Sequence, residues 1–184
     1  LNVERLKNMS GFSYRKNIDG SSQSPTLMYA IGKNSVTFTI GDAVRINTSG
    51  FVDVCEANEY VVGIVAQVVT RARQVKDSDS ADAPNDYTMT SDNQTVAKDM
   101  IGFIPAMPNY LFYNDTDGDM DEAHVGMYFN LISESQIDES SGHDTTTETF
   151  RLWEYDPDHD GDASKGLFNI VESQIYNADC DREA

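Results

Sequence analysis

Carboxylates at alternate positions of one short segment are the strongest candidates for chemistry in this sequence. Residues 156–162 read Asp-Pro-Asp-His-Asp-Gly-Asp, with Gly at the sixth position of the segment. Alternate carboxylates in a tight loop can converge on a hard cation, and glycine permits the turn that brings them together. The spacing therefore indicates a candidate calcium site, whose ligands would be Asp156, Asp158, Asp160 and Asp162.

The match to a calcium-binding EF-hand loop ends after this sixth position. Leu167 occupies the twelfth position, where that loop needs a bidentate Glu, and no flanking helix is indicated. A second acidic segment, 115–122, lacks Gly at its sixth position. A solvent-facing acidic turn is the alternative interpretation of both segments, so we expect no required cofactor and only calcium as an optional one.

The residue patterns of common enzymes are missing from the sequence. There is no phosphate-binding loop ending in Gly-Lys-Ser/Thr and no Gly-x-Ser-x-Gly motif. His124, His143 and His159 stand in polar, Asp-rich segments, where we expect exposed loop histidines. For Cys55 and Cys180, a free thiol, a single bridge and two buried small side chains all remain open. We predict that the protein is not an enzyme; a small hydrolase with dispersed catalytic groups is the weaker alternative.

The charge of the chain is large and uneven. Thirteen basic and 31 acidic residues give a formal charge of −18, which argues against direct binding of nucleic acid. Residues 1–76 carry nine basic and six acidic residues, a net of +3, which leaves −21 for residues 77–184. One interpretation is an acidic, solubilising surface; the sharper one is a chain whose two ends have opposite polarity, one docking and one facing solvent. No apolar run is long enough to span a bilayer, so we expect a soluble protein without a membrane partner.

Hydrophobic periodicity predicts strands and almost no helix. Residues 1–34 fit neither period and are predicted to form an extended N-terminal arm, followed by a β domain over 35–184. The run 60–69 predicts a strand buried on both faces, in which Gly63 indicates a bulge or a close backbone approach. The polar segment 74–99 is predicted as a long exposed loop or hairpin excursion, and 133–148 is predicted as another long polar loop. The fold class predicted is all-β: a single β-barrel or jelly-roll-like sandwich domain with an extended N-terminal arm and long acidic loops.

Short motifs follow one another in a characteristic order in the first part of this domain. An aromatic-aliphatic stretch precedes an alternating strand, Gly-Asp-x-Val, a turn with Gly, and a Val-x-Gly-Ile-Val strand; these motifs occupy residues 27–31, 36–40, 41–44, 49–52 and 61–65. The order resembles that of tailed-phage head-decoration, or capsid-cement, proteins. Segments 101–105 and 125–131 are similar to that family as well, whereas the two acidic segments are not part of the pattern.

The resemblance implies a β-barrel or jelly-roll-like domain that sits on an assembled capsid lattice and has no catalytic centre. We therefore expect a virion structural protein on the outer capsid surface, with the major capsid protein and neighbouring copies of itself as partners. In this hypothesis the arm supplies cations to acidic patches of the shell and aromatic side chains to its grooves. The cations would be those of Arg5, Lys7, Arg15 and Lys16. The aromatic side chains would be those of Phe12, Tyr14 and Tyr29. The alternative function is a calcium-dependent carbohydrate-binding or adhesion β domain built on the two acidic segments.

Overall fold

The structure, a computed structural model, describes residues 11–21, 24–57, 59–70, 72, 75, 86–141, 149–158 and 161–171. These residues form antiparallel strands joined by turns. The strands are β1 (Ser13–Asn17), β2 (Met28–Ile31), β3 (Thr37–Thr39), β4 (Ala43–Ile46), β5 (Val52–Val54), β6 (Gly63–Val69), β7 (Asp86–Thr88), β8 (Met100–Pro105), β9 (Tyr110–Asp115), β10 (Tyr128–Ser133), β11 (Gln136–Asp138), β12 (Phe150–Tyr155) and β13 (Lys165–Ile170). A π-helical turn at Asn93–Ala97 and 3₁₀ turns at Glu122–His124 and Glu139–Ser141 complete the described elements.

The strands are arranged in three layers. A six-stranded sheet has the order β1-β9-β13-β12-β10-β11, a five-stranded sheet has the order β2-β8-β6-β4-β5, and β3 pairs with β7. The first core lies between the two large sheets and is rich in phenylalanine, with Phe112, Phe129 and Phe168 fully buried. The second core includes Phe38 and Phe103 and lies between the five-stranded sheet and the β3–β7 pair. The predicted all-β fold is therefore confirmed as a sandwich, since no sheet of the described residues closes into a barrel.

The middle layer explains the continuous apolar run of β6. Ile64 belongs to the first core, whereas Val65 and Val68 belong to the second, so the strand is buried on both faces as predicted. A Cβ atom on Gly63 would lie 2.3 Å from the carbonyl oxygen of Ile104, which confirms the predicted close backbone approach.

The prediction of an extended arm over residues 1–34 is wrong for its described part. β1 pairs with β9, from Ser13 opposite Tyr113 to Asn17 opposite Tyr110, and β2 pairs with β8. A register shift between Tyr14 and Lys16 breaks the alternation of β1, and this is why hydrophobic periodicity missed the strand. Residues 1–10 lie outside the described residues.

Both predicted long loops contain ordered structure. The segment 74–99 includes β7 and the π-helical turn, and 133–148 includes β11 and a 3₁₀ turn. Buried Asp99 accepts hydrogen bonds from the Tyr87 hydroxyl at 2.7 Å and from Asn93 Nδ2 at 2.8 Å, so one carboxylate ties β7 to the π-helical turn. The helical turns among the described residues are all too short to cross a membrane.

A buried amide side chain connects β9 to the β10–β11 turn. Asn114 is fully buried; its Nδ2 donates to the Ser135 carbonyl at 2.8 Å and its Oδ1 accepts from the Ile137 N–H at 3.1 Å. Asn114→Ala should lower the free energy of unfolding by about 1–3 kcal/mol, because it removes the partner of the buried Ile137 N–H and of the partly buried Ser135 carbonyl. Urea unfolding followed by circular dichroism measures the loss. Asn34→Ala, at an exposed asparagine, is the control, and equal losses in both variants would contradict the prediction.

Candidate functional site: the outer face of the six-stranded sheet

The face of the six-stranded sheet that points away from the first core carries aromatic and charged side chains. Phe112 of β9 and Phe168 of β13 belong to that core, so strand alternation places Tyr113 and Leu167 on the opposite face. Trp153 of β12 is 39% exposed. We call this surface the outer face; it is the candidate functional site.

Two predicted partner-binding cations lie on β1, at the edge of the outer face. The Arg15 guanidinium carbon lies 4.6 Å from the centroid of the Tyr113 ring, and Arg15 Nη2 is 3.9 Å from Asp158 Oδ2. Lys16 Nζ is 3.6 Å from Glu154 Oε2. The four charged side chains are between 39% and 51% exposed, and exposed ion pairs contribute about 0–1 kcal/mol. These contacts can therefore be exchanged at low cost for contacts with a partner.

The same two ion pairs correct the expectation of two ends with opposite polarity. Arg15 and Lys16 belong to the basic first part of the chain, whereas Asp158 and Glu154 belong to the acidic remainder. β1 is hydrogen-bonded to β9, and β13 and β12 follow in the same sheet. Charges that are separated along the chain are thus adjacent in space at this edge.

Two of the aromatic residues assigned to partner grooves are packed inside the protein instead. Phe12 is 2% exposed and stacks on Phe150 with ring centroids 5.0 Å apart. Tyr14 is half-buried, its ring lies edge-on to Tyr110 at 5.3 Å, and burial raises the pKa of its hydroxyl. The groove-filling role is therefore wrong for Phe12, which is buried in the first core, whereas Tyr14 packs partly against that core.

The remaining predicted contacts are not brought together with Arg15 and Lys16. Tyr29 lies on β2 in the five-stranded sheet, half-buried, and its hydroxyl accepts a hydrogen bond from Gln67 Nε2 at 2.6 Å. Arg5 and Lys7 lie outside the described residues.

The exposed side chain of Trp153 contacts Asn169 and Arg151. Its indole N–H donates to Asn169 Oδ1 at 2.6 Å. The guanidinium carbon of Arg151 lies 5.5 Å from its ring centroid and 5.8 Å from that of Tyr128. No functional role was predicted for Trp153, although the alternation in 150–155 places it on the polar side of a strand.

An open groove of about 240 Å³ lies beside Trp153 and is lined by Val125, Glu154, Tyr155 and Asp156 as well. Strict alternation would send adjacent side chains to opposite faces, yet residues 153–156 all line this groove. The register shift in β12 between Leu152 and Glu154 interrupts this alternation, and Asp156 follows the end of the strand with a positive φ of 41°. The outer face therefore includes a small concave site with two aromatic rings and two carboxylates.

The described members of the predicted calcium loop bind to different partners within the chain. Asp156 accepts a backbone hydrogen bond at 3.1 Å within its own turn, and Asp158 pairs with the guanidinium on β1. Asp162 Oδ2 lies 2.7 Å from Lys165 Nζ, and this contact contributes to lowering the pKa of Asp162. Asp160 lies outside the described residues. Within the described ranges, no three acidic, His or Cys side chains are grouped to hold a metal ion.

The second acidic segment surrounds a histidine. The backbone N–H of Asp121 donates to His124 Nδ1 at 3.0 Å, and His124 Nε2 lies 3.2 Å from Glu139 Oε1. The His124 side chain is 17% exposed, so the prediction of an exposed loop histidine is wrong here: groups from both 3₁₀ turns enclose the ring. His143 and His159 lie outside the described residues.

Burial raises the pKa of three further groups. On β9, desolvation is the largest cause for Tyr113 and for Asp115, and Lys165 opposes it in both cases. Cys55 is a buried free thiol whose pKa is raised well above its usual value, again mainly by burial. Buried thiols with a raised pKa are poor nucleophiles, so Cys55 is a packing residue. Cys180 lies outside the described residues.

Comparison with known proteins finds no match to this chain: it matches no protein-family model, no curated protein and no solved structure.

Proposed function

We propose that the chain is a non-catalytic virion structural protein that binds the outer surface of a capsid and stabilises it. One observation carries the proposal: Arg15 and Lys16 are exposed on an edge strand, and their ion pairs are loose, at 3.9 and 3.6 Å. An acidic patch on a partner could replace the carboxylates of these pairs. The all-β sandwich and the order of motifs over 27–69 support the same function.

The position of β1 suggests how the shell would be contacted. In the six-stranded sheet β1 stands at the end of the order, with β9 on its paired side. Edge strands present backbone hydrogen-bonding groups to which another chain can add. The partners would be the major capsid protein and neighbouring copies of this chain. Repetition on a symmetric lattice would convert a modest affinity at each contact into stable attachment.

Particles of the virus that encodes the chain test the proposal directly. Gradient-purified particles should contain the chain in a fixed ratio to the major capsid protein, measured by quantitative mass spectrometry. Particles assembled without it should lose their contents at a lower temperature. A chain that is abundant in the lysate but absent from purified particles would contradict the proposed function.

Charge reversal at the edge tests the proposed interface. The double variant Arg15→Glu, Lys16→Glu should bind particles lacking the chain at least about tenfold more weakly, because it opposes the acidic patch expected there. Co-sedimentation titration measures the affinity, and circular dichroism verifies the fold. Lys98→Glu, at an exposed lysine after the π-helical turn, is the matched control. Equal affinities of the double variant and the control would show that the interface lies elsewhere.

A further inference from the structure

We infer that the groove beside Trp153 binds an arginine side chain of a partner protein. This inference does not depend on the proposed capsid role. The groove measures about 240 Å³. Pockets for complete small ligands usually enclose about 300–1,000 Å³, so this site suits one head group with part of its alkyl stem.

The polar groups of the groove favour a donor with positive charge. The carboxylates of Glu154 and Asp156 supply hydrogen-bond acceptors, and none of the described residues that line the groove is basic. The indole N–H of Trp153 already donates to Asn169. The Tyr155 hydroxyl can donate as well as accept. A guanidinium matches two carboxylates in charge as well as in hydrogen bonding, whereas a neutral sugar gains no attraction from their charge.

The aromatic rings favour arginine over lysine. Trp153 is 39% exposed and Tyr155 is 36% exposed, so parts of both side chains remain accessible beside the groove. A planar guanidinium can stack on such rings and donate two parallel hydrogen bonds to a carboxylate, which an ammonium group cannot do. The outer face already shows this preference, with Arg15 over Tyr113 and Arg151 over Trp153.

The rim of the groove adds apolar surface and negative charge. Val125 is 44% exposed and can pack against the methylene groups of an arginine stem. It directly follows the turn Glu122–His124, whose capping residue Asp121 and first residue Glu122 are two further exposed acids. Lys16 contacts Glu154 at 3.6 Å, but both side chains are about 40% exposed, so an arriving guanidinium can displace the lysine.

The fluorescence of Trp153 provides a site-specific test, because it is the single tryptophan of the chain. The full chain is titrated with N-acetyl-arginine amide and with the peptide acetyl-Gly-Arg-Gly-amide. We expect a saturable change with a millimolar dissociation constant, weakened when NaCl rises from about 20 mM to about 500 mM. N-acetyl-lysine amide should bind several-fold more weakly.

A variant that removes the negative charge of the groove tests the role of its two carboxylates. Glu154→Gln combined with Asp156→Asn should weaken arginine binding at least about fivefold, because the guanidinium loses two negatively charged acceptors. Asn tolerates the positive φ of 41° at position 156 and keeps an acceptor for the Gly161 N–H, so the turn should persist. Asp92→Asn, at an exposed acid near the π-helical turn, is the control and should bind like the wild type.

Three results would overturn the inference. They are the lack of a saturable response to both arginine probes, an equal response to N-acetyl-glutamine amide, and tighter binding of methyl glucoside than of the arginine probes.

If the double variant does not fold, the NMR shift of the Trp153 indole N–H in the wild type decides: it should move with the arginine probe and stay unchanged with the glutamine probe.

Discussion

The Asp42→Asn variant is expected to gain up to about 4 kcal/mol of stability relative to the wild type between about pH 4 and pH 7, because the wild type loses that much there through this one group. Asp42 is 4% exposed, and its Oδ2 accepts a hydrogen bond from the Thr39 N–H at 2.7 Å. Burial raises its pKa to about 7, against an ordinary value of 3.8. Glu134 and Asp86 raise it further, and the bond from Thr39 opposes the rise.

The direction of the effect follows from proton binding. Between the two pKa values the folded protein holds a proton on Asp42 that the unfolded chain has released, so rising pH favours unfolding. The stabilisation is complete below about pH 4 and is lost as the pH rises through about 7. Asparagine does not titrate and its amide oxygen can still accept from Thr39.

Urea unfolding of both proteins at several pH values checks this expectation. The stability of Asp42→Asn relative to the wild type should increase from about pH 4 to about pH 7 and then level off. Asp119→Asn, at an exposed carboxylate, should follow the wild-type curve. A constant difference between Asp42→Asn and the wild type would mean that Asp42 titrates normally in the folded protein.

Phe12→Ala should lower the free energy of unfolding by about 3–5 kcal/mol, the usual loss for a buried phenylalanine. The ring is stacked on Phe150, and the Phe12 backbone N–H donates to the Gly41 carbonyl at 2.8 Å. Ile18→Ala, 39% exposed in the same segment, should change stability by no more than about 0.5 kcal/mol. Chemical unfolding of the three proteins measures both effects. An arm that lay free of the domain would make the two losses equally small.

This packing also decides how capsid binding can be tested. Deleting residues 1–20 would remove β1 and Phe12 together with Arg15 and Lys16. Loss of binding in such a protein would follow from unfolding as readily as from loss of the interface. Charge reversal of exposed side chains separates the two causes.

The parts of the fold that the sequence predicted are those with regular side-chain periodicity. β6 was predicted to be buried on both faces because apolar residues run through it without interruption, and Gly63 marked its close approach to Ile104. β1 was missed because the register shift after Tyr14 interrupts its alternation. Strand β11 was missed because three residues are too few to show a period.

The candidate site was predicted only in part. Arg15 and Lys16 are exposed where a partner could reach them, but the aromatic surface next to them is supplied by Tyr113 and Trp153 and not by the predicted tyrosines. The register shift after Leu152 lies beside the groove, and such a shift depends on pairing with β13, which a single-strand pattern does not reveal. Long-range strand pairing likewise brings Asp158 beside Arg15.

The five-stranded sheet lies, along the sequence, between β1 and the strand with which β1 pairs, and this determines the order in which the sheets can form during synthesis. The five-stranded sheet and the β3–β7 pair use residues 28–105, and the second core falls within the same stretch. β1 is made earlier, yet it pairs with β9, where Ser13 meets Tyr113 100 positions later. The middle of the chain can thus condense co-translationally around its own core, while β1 stays unpaired until β9 has been synthesised. The six-stranded sheet closes last, when β12 and β13 leave the ribosome.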